Sequence, residues 1–189
     1  MSDLMGNTFN REDEFLLKGC LENNRRSQKL LYRKYFKTMF RICLSFSGDK
    51  DEAKDILQDA FVKVFTSLDK YGFKGSLEGW IRRIVTNTAI DYFRSKKRMI
   101  FQDEFPDEAE DEDDRFFKGD QITTDIILFY IKQLPDGARI VFNLYAVEGM
   151  THKEISNKLG INEGTSKSQY KRARTLLRKW INEYELSRQ

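Results

Sequence analysis

The densest group of side chains that could bind a ligand lies between Gly164 and Lys179. This stretch holds six lysines and arginines and no acidic residue. In a helix, two rows of cationic and hydroxyl groups would share one side: Lys167, Lys171, Arg174 and Arg178, and Ser168, Arg172, Thr175 and Lys179. Cationic groups bind phosphates, and guanidinium and hydroxyl groups form hydrogen bonds with base edges. The pattern is typical of a helix that binds duplex DNA, and a solvated charged face is the alternative.

The other side of this stretch is suited to packing within a domain. Its inner row consists of Ser166, Tyr170, Ala173, Leu177 and Trp180, at steps of four and three. Upstream, Thr151 and Glu154 have the spacing of a capping box at a helix start, and Gly160 is a typical helix stop. Asn162 is a suitable N-cap for the next helix. Two helices joined by a short turn that contains glycine predict a helix-turn-helix unit.

A second basic region spans residues 82–98, where six lysines and arginines stand against one acid, Asp91. An apolar stripe predicts that one side of this helix faces a core: Leu77, Trp80, Ile81, Ile84 and Thr88. The opposite side presents Arg83, Asn87, Asp91, Arg94 and Arg98. Melted single strands bind in cationic grooves that offer rings for stacking and amides for base edges. Candidate rings are Tyr71 and Phe73 in the preceding loop, and Tyr92 and Phe93 on the helix, although the last two could equally belong to the core.

A third surface is acidic and lies on a helix predicted to begin near residue 50. Asp51, Asp55 and Asp59 recur at steps of four, with Gln58 and Val62 beside them. Carboxylates repel DNA phosphates, so this face either binds a basic protein partner or is an ordinary solvated face. The apolar positions of the same helix predict a continuous buried stripe: Ala53, Ile56, Leu57, Ala60, Phe61, Val64, Phe65 and Leu68.

The distribution of charge predicts two helical domains joined by an acidic linker. Residues 103–114 hold nine acids and no base; without them, 33 bases stand against 21 acids, which changes the net charge from +3 to +12. Such like charges repel one another, so this segment is expected to be flexible. Helical periodicity on both sides, without strand alternation, predicts an all-α protein. We expect a four-helix domain over residues 1–100, the linker over 101–121 and a helix-turn-helix domain over 122–189.

The inventory of reactive side chains argues against an enzyme. His152 is the only histidine, and Cys20 and Cys43 lack metal-ligand spacing, so both thiols are expected to be buried and free. No glycine-rich phosphate loop or nucleophile elbow occurs. We therefore expect no catalytic residue, no metal and no cofactor. The 189 residues include no apolar run long enough for a membrane span and no signal-peptide pattern at the start, which predicts a cytoplasmic protein.

Three segments resemble, in order and over nearly the whole chain, bacterial sigma factors of the extracytoplasmic-function group of the sigma-70 family: DKDEAKDILQDAFVKVF, FKGSLEGWIRRIVTNTAIDYFRSKKR and LPDGARIVFNLYAVEGMTHKEISNKLGINEGTSKSQYKRAR. The resemblance implies that the first domain binds the β′ coiled coil of core RNA polymerase and captures the melted non-template strand near minus ten. It implies that the second domain reads the duplex element near minus thirty-five. The β flap of the polymerase and an anti-sigma factor are further implied partners.

The resemblance also implies a role for individual positions. The polymerase-binding set is Asp51, Asp55, Gln58, Asp59 and Val62. The minus-ten set is Tyr71, Phe73, Arg83, Asn87, Asp91, Arg94, Lys97 and Arg98. The minus-thirty-five set is Thr165, Lys167, Ser168, Gln169, Lys171, Arg172 and Arg174. Two positions depart from the family pattern, which often has an apolar residue where Ser166 stands and arginine where Gln169 stands.

Two other functions are compatible with parts of the sequence. A self-sufficient helix-turn-helix regulator would account for the C-terminal domain but not for the acidic stripe or for residues 71–98. A nucleic-acid-modifying enzyme would require a metal site or an acid–base pair, which these residue types do not assemble. The sequence therefore favours a promoter-specificity subunit of RNA polymerase.

Overall fold

The computed structural model describes residues 11–72, 75–96, 101 and 123–188. Every regular element within those residues is helical, as predicted, and the α-helices are α1 (Arg11–Leu21), α2 (Arg25–Ser47), α3 (Lys50–Thr66), α4 (Leu77–Ser95), α5 (Thr124–Gln133), α6 (Asp136–Phe142), α7 (His152–Leu159) and α8 (Glu163–Leu186). A 3-10 turn, Leu68–Lys70, follows α3, and a π turn, Asn143–Val147, extends α6. The predicted acidic linker lies outside the described residues except for position 101, and the predicted domain boundaries stay a prediction.

The chain divides into two compact units, the first of which is formed by Met1–Cys43 and Asp51–Ala89. Its core includes the stripe predicted on α3: Ala53, Ile56, Leu57, Ala60, Phe61, Val64 and Leu68 are buried, and Phe65 is half-buried. On α2 the buried apolar side chains of this unit are Leu31, Tyr35, Met39 and Cys43. Since apolar residues recur on one side of each helix, burial leaves the other side of α3 at the surface.

The stripe predicted on α4 is partly wrong. Leu77, Ile81 and Thr88 are buried, but Trp80 and Ile84 are only half-buried. The buried apolar row instead runs at steps of four: Leu77, Ile81, Val85, Ala89 and Phe93. Trp80 packs at the edge of this row, with its ring 5.4 Å from the ring of Tyr71. The buried side of the helix is thus rotated from the predicted one, and Phe93 (1% exposed) is buried.

The second unit is formed by Leu44–Lys50 and Ile90–Gln189. Helices α5, α6 and α8 share one hydrophobic core, made of Ile131, Leu134, Ala138, Phe142, Ala173 and Leu177. The partly buried rings of Tyr130, Tyr170 and Trp180 pack against this core. Helix α8 also packs against α7, so the same helix closes the core and carries the predicted DNA-binding surface.

A buried arginine joins two segments of the second unit. The Arg139 guanidinium donates to the carbonyl oxygens of Phe46 (2.9 Å), Ser47 (2.6 Å) and Leu134 (2.7 Å), and its charge is paired with Asp136. The first two carbonyls belong to the last turn of α2, where no intrahelical donor exists. Gly48, with φ +72°, lies so close that a Cβ there would be 2.9 Å from the guanidinium carbon. The buried charge of Arg139 is therefore compensated by three carbonyl oxygens and one carboxylate.

Candidate nucleic-acid and polymerase interfaces

The helix-turn-helix unit is formed by α7 and α8 and has the predicted local geometry. The Thr151 hydroxyl accepts from the Glu154 backbone N–H (3.2 Å), and the Glu154 carboxylate accepts from the Thr151 N–H (2.8 Å). These bonds complete the capping box. The hydrogen bonds that the Glu154 carboxylate accepts from the Thr151 N–H and hydroxyl lower the pKa of Glu154. Gly160 has φ 66°, the left-handed conformation of a helix stop. Asn162 occupies the N-cap position of α8, but its side chain makes no capping hydrogen bond.

The inner side of α8 differs from the predicted row in one respect that concerns DNA binding. The buried residues are Ser166, Gln169, Ala173, Leu177 and Ile181, while Tyr170 and Trp180 are half-buried. Gln169 is only 3% exposed, and its amide oxygen has no hydrogen-bond partner in the described part of the chain. Its predicted contact with DNA does not agree with this burial. At about 100° per residue, Gln169 and Tyr170 lie on opposite sides of the buried row that contains Ser166 and Ala173, at similar angles from it. Side-chain polarity therefore did not show which of the two is buried and which is more accessible.

The remaining residues of the predicted minus-thirty-five set lie at the surface of α8. Lys167 is exposed, and the others are half-buried: Thr165, Ser168, Lys171, Arg172 and Arg174. Lys167 forms an ion pair with Glu163 at 2.9 Å, which lowers the pKa of that carboxyl. The Arg174 guanidinium lies 6.0 Å from the centre of the Tyr170 ring. This side of α8 therefore carries cationic and hydroxyl groups opposite the buried row, the arrangement that a recognition helix requires.

The predicted minus-ten surface is partly present on α4. Arg83, Asp91 and Arg94 are exposed and Asn87 is half-buried, all on the side away from the buried row. Ser76 caps the start of this helix by accepting from the Gly79 N–H at 3.1 Å. The predicted residues Phe73, Lys97 and Arg98 lie outside the described residues.

The aromatic residues near this surface have unequal access to solvent. Tyr71 is 3% exposed and donates its hydroxyl to the Gly75 carbonyl at 2.8 Å, so burial argues against its predicted role as a stacking platform. Phe93 belongs to the core. Tyr92 is half-buried, and the Lys96 ammonium lies 4.3 Å from its ring centre and 2.7 Å from its hydroxyl. Of the predicted rings in the described residues, only Tyr92 has a partly accessible face.

The acidic side of α3 is exposed along its length. Asp51, Asp55, Gln58 and Asp59 are exposed, and Val62 is 57% exposed beside them. Asp51 pairs with Lys54 at 2.7 Å, one turn further along the helix. An exposed aliphatic residue beside carboxylates is suited to a protein partner whose basic groups carry long apolar stems.

The described residues contain no group of histidines, cysteines, aspartates and glutamates that could hold a metal ion. Cys20 and Cys43 are buried and free, as predicted. Burial raises the pKa of the Cys43 thiol to about 12 and that of Cys20 to about 11. Over the same ranges, no helix has the length and apolar character needed to cross a membrane.

A helix-turn-helix unit whose outward side carries cationic and hydroxyl groups is characteristic of a DNA-binding protein. Models of two families match this chain: sigma-70 region 2 over residues 31–99, and sigma-70 region 4 over residues 124–177. The chain belongs to the sigma-70 family of RNA polymerase sigma factors, in the extracytoplasmic-function group. It is therefore a promoter-recognising subunit that binds core RNA polymerase and promoter DNA, and the resemblance of its sequence is confirmed.

Two relatives identified by their sequences agree with this assignment. The chain is 36% identical over 137 residues to the RNA polymerase sigma factor SigZ of Bacillus subtilis. The aligned residues cover 71% of this chain and 75% of SigZ. It is 30% identical over 158 residues to the ECF RNA polymerase sigma factor SigE of Mycolicibacterium smegmatis, covering 80% of this chain and 60% of that protein. A solved structure of CnrH in complex with the cytosolic domain of CnrY is 21% identical, with a TM-score of 0.47 and coverage of 91% and 98%.

Proposed function

We propose that three separate surfaces of this chain divide the work of promoter recognition. The exposed face of α3 binds the β′ coiled coil of core polymerase, the outward face of α4 holds the melted non-template strand near minus ten, and α8 reads the duplex near minus thirty-five. The observation that supports this division is the segregation of charge. Exposed carboxylates are repeated on α3, whereas cationic groups are repeated on the outward side of α8. A surface for DNA phosphates and a surface for a basic protein require opposite signs.

The proposed minus-ten surface must favour a single strand over a duplex. Extruding a base from a duplex costs a few kcal/mol, so a protein that promotes strand opening must offer exposed bases contacts that paired bases cannot use. The Asn87 amide is suited to a base edge, because its carbonyl accepts and its NH2 donates hydrogen bonds. Arg94 lies seven residues further along the same face of α4 and is suited to the phosphate backbone. Stacking on an aromatic ring contributes about 1–3 kcal/mol per base. Of the predicted stacking rings in the described residues, Tyr92 is the one that is half-buried rather than buried.

Asn87→Ala and Arg94→Ala are expected to weaken binding of the holoenzyme to a non-template single-stranded oligonucleotide and to reduce open-complex formation on duplex templates. Binding to core polymerase should not change, because α3 is untouched. Glu78→Ala, at an exposed position in the first turn of α4, is the matched control. A template that is already melted across the minus-ten region should restore a defect in strand opening but not a defect in base recognition. Oligonucleotide binding equal to wild type in both variants would show that this face is only a solvated surface.

Arg172→Ala and Lys179→Ala test the proposed minus-thirty-five surface. Base contacts are usually made near the N-terminal end of a recognition helix, and Arg172 is nearer to that end than Lys179. Arg172→Ala is expected to cost about 1–3 kcal/mol and to relax the preference at one upstream position. Lys179→Ala should weaken binding to all sequences alike and reduce the salt slope by about one. The measurement is holoenzyme binding to duplexes with a randomised upstream element, and a uniform loss in both variants would refute base reading by Arg172.

The proposal also covers the source of catalysis, the cellular location and the further partners of this chain. Polymerase supplies the chemistry, and this chain acts without a catalytic residue, metal or cofactor of its own. We place it in the cytoplasm, where its polymerase partner works. The β flap is the proposed partner of the helix-turn-helix domain, and an anti-sigma factor is the proposed inhibitor that covers the polymerase- and DNA-binding surfaces.

A further inference from the structure

A buried hydroxyl links the two helices of the helix-turn-helix unit. Ser166 stands in the inner row of α8 and has no exposed surface. A buried hydroxyl without a partner is unfavourable, because it loses its hydrogen bonds to water. Its oxygen lies 2.9 Å from Nδ1 of His152, the first residue of α7. The polar residue at an inner position is thus compensated by the only histidine of the chain.

The imidazole that receives this contact is held on its other faces by aromatic rings. Tyr145 is stacked on it, with ring centres 4.4 Å apart and planes inclined by 17°. Tyr170 of α8 approaches it edge-on at 5.8 Å and lies 4.4 Å from Tyr145. The ring of His152 therefore has little freedom to turn its Nδ1 away from Ser166. Burial, together with the nearby Lys167, lowers the pKa of His152, which favours the neutral imidazole, while Glu163 opposes this effect.

We propose that His152 is a positioning residue for promoter recognition, which sets the orientation of the N-terminal end of α8 through its hydrogen bond to Ser166. The inference rests on the proposed function of α8 as the minus-thirty-five reader. Lys167 and Ser168 follow Ser166 directly, and Lys171 and Arg172 follow within the next two turns. These residues lie at the end of a recognition helix where base contacts are usually made. A polar bond with defined geometry fixes the rotation of the helix about its axis more narrowly than apolar packing does.

Three variants separate this role from a contribution to stability alone. His152→Phe keeps a ring beside Tyr145 but removes Nδ1, and Ser166→Ala removes the hydroxyl with little change in shape. The double variant removes both partners, which leaves no unsatisfied polar group. We expect each single variant to lower the thermal midpoint by a few degrees and the double variant to recover most of that loss. The thermal midpoint of the double variant should therefore be higher than the value obtained by adding the decreases of the two single variants.

Sequence discrimination distinguishes the two roles, because losing a contact that serves only stability would not change it. It is measured with holoenzyme, well below the thermal midpoint, as the ratio of affinities for two duplexes: one carrying an upstream element selected by the wild-type protein, and one in which that element is scrambled. We expect His152→Phe and Ser166→Ala each to lower this ratio about three- to tenfold. The double variant should not recover it, although its stability returns. His152→Asn, whose amide stands where Nδ1 stood, should recover most of the ratio, and Asn157→Ala on the exposed side of α7 should leave it unchanged.

Wild-type discrimination in both single variants would overturn the proposal. So would a double variant that regains discrimination together with stability, because the bond would then serve folding only. If selection with the wild-type protein yields no upstream element that it prefers to a scrambled one, that result contradicts the minus-thirty-five assignment itself. In that case the non-additive midpoints would identify His152 and Ser166 as a structural pair, and the positioning role would fall with the assignment.

Discussion

Replacing both Asp55 and Asp59 by lysine is expected to weaken binding of this chain to core RNA polymerase by about 100-fold or more. The two carboxylates lie one turn apart on the exposed face of α3. An attractive contact with a basic partner becomes a contact between like charges, which costs several kcal/mol, and every 1.4 kcal/mol is a factor of ten in affinity. The core of α3 is untouched, so helix content by circular dichroism should stay at the wild-type value.

A matched control distinguishes a specific interface from a general effect of charge. Glu22→Lys combined with Glu183→Lys also converts two exposed acids to bases but leaves α3 unchanged. It should bind core polymerase like the wild type, both in pull-down and in a titration at two salt concentrations. Equal binding by the two double variants would remove α3 from the polymerase interface.

Phe93→Ala is expected to lower the free energy of unfolding by about 3–5 kcal/mol. The side chain is 1% exposed and closes the buried row of α4, so its removal leaves a cavity that the surrounding helices fill only in part. Urea unfolding followed by circular dichroism measures the change through the midpoint of the transition. The variant should also lose DNA binding at 37 °C, because the minus-ten surface is carried by the same helix.

Tyr92→Ala is the neighbouring control for this prediction. Tyr92 is half-buried, and its ring meets that of Phe93 edge-on at 5.1 Å, so its removal should cost clearly less stability. Its expected defect is in binding of the single strand, since it is the predicted stacking ring that is half-buried rather than buried. A larger loss of stability in Tyr92→Ala than in Phe93→Ala would contradict the assignment of core and surface on this helix.

Helical periodicity and local end signals predicted most features that depend on a single helix, such as its buried side and its ends. The apolar stripe of α3 was predicted at every position except Phe65, which is half-buried. Steps of three and four put those positions on one side of the helix whatever the partner helix is. The capping box at Thr151 and the left-handed Gly160 were equally local, since each depends on residues within one or two turns. The helix-turn-helix unit followed from these signals.

The features that sequence reasoning missed depend on contacts between distant residues. Gln169 and Tyr170 flank the inner row of α8 almost equally, and only packing against the domain core decides which is covered. Tyr71 was predicted to be a stacking ring, but its hydroxyl reaches the Gly75 carbonyl and the ring is buried. No spacing indicates that Arg139 would meet carbonyl groups more than ninety residues away. The structure is therefore needed to decide whether a polar residue at the border of a helix face is buried or exposed, and which distant residues it contacts.

Run-off transcription with purified core polymerase and a library of genomic promoter fragments tests the central claim most directly. A promoter-specificity subunit gives discrete transcripts only when chain and core are both present, because in the proposed division of work the chain recognises the promoter and the polymerase supplies the catalysis. We expect these transcripts to disappear with the Asp55/Asp59 double variant and to decrease with Asn87→Ala. Retarded migration of duplex DNA by the chain alone, with no transcripts above the level of core polymerase, would contradict the account and favour a self-sufficient helix-turn-helix regulator.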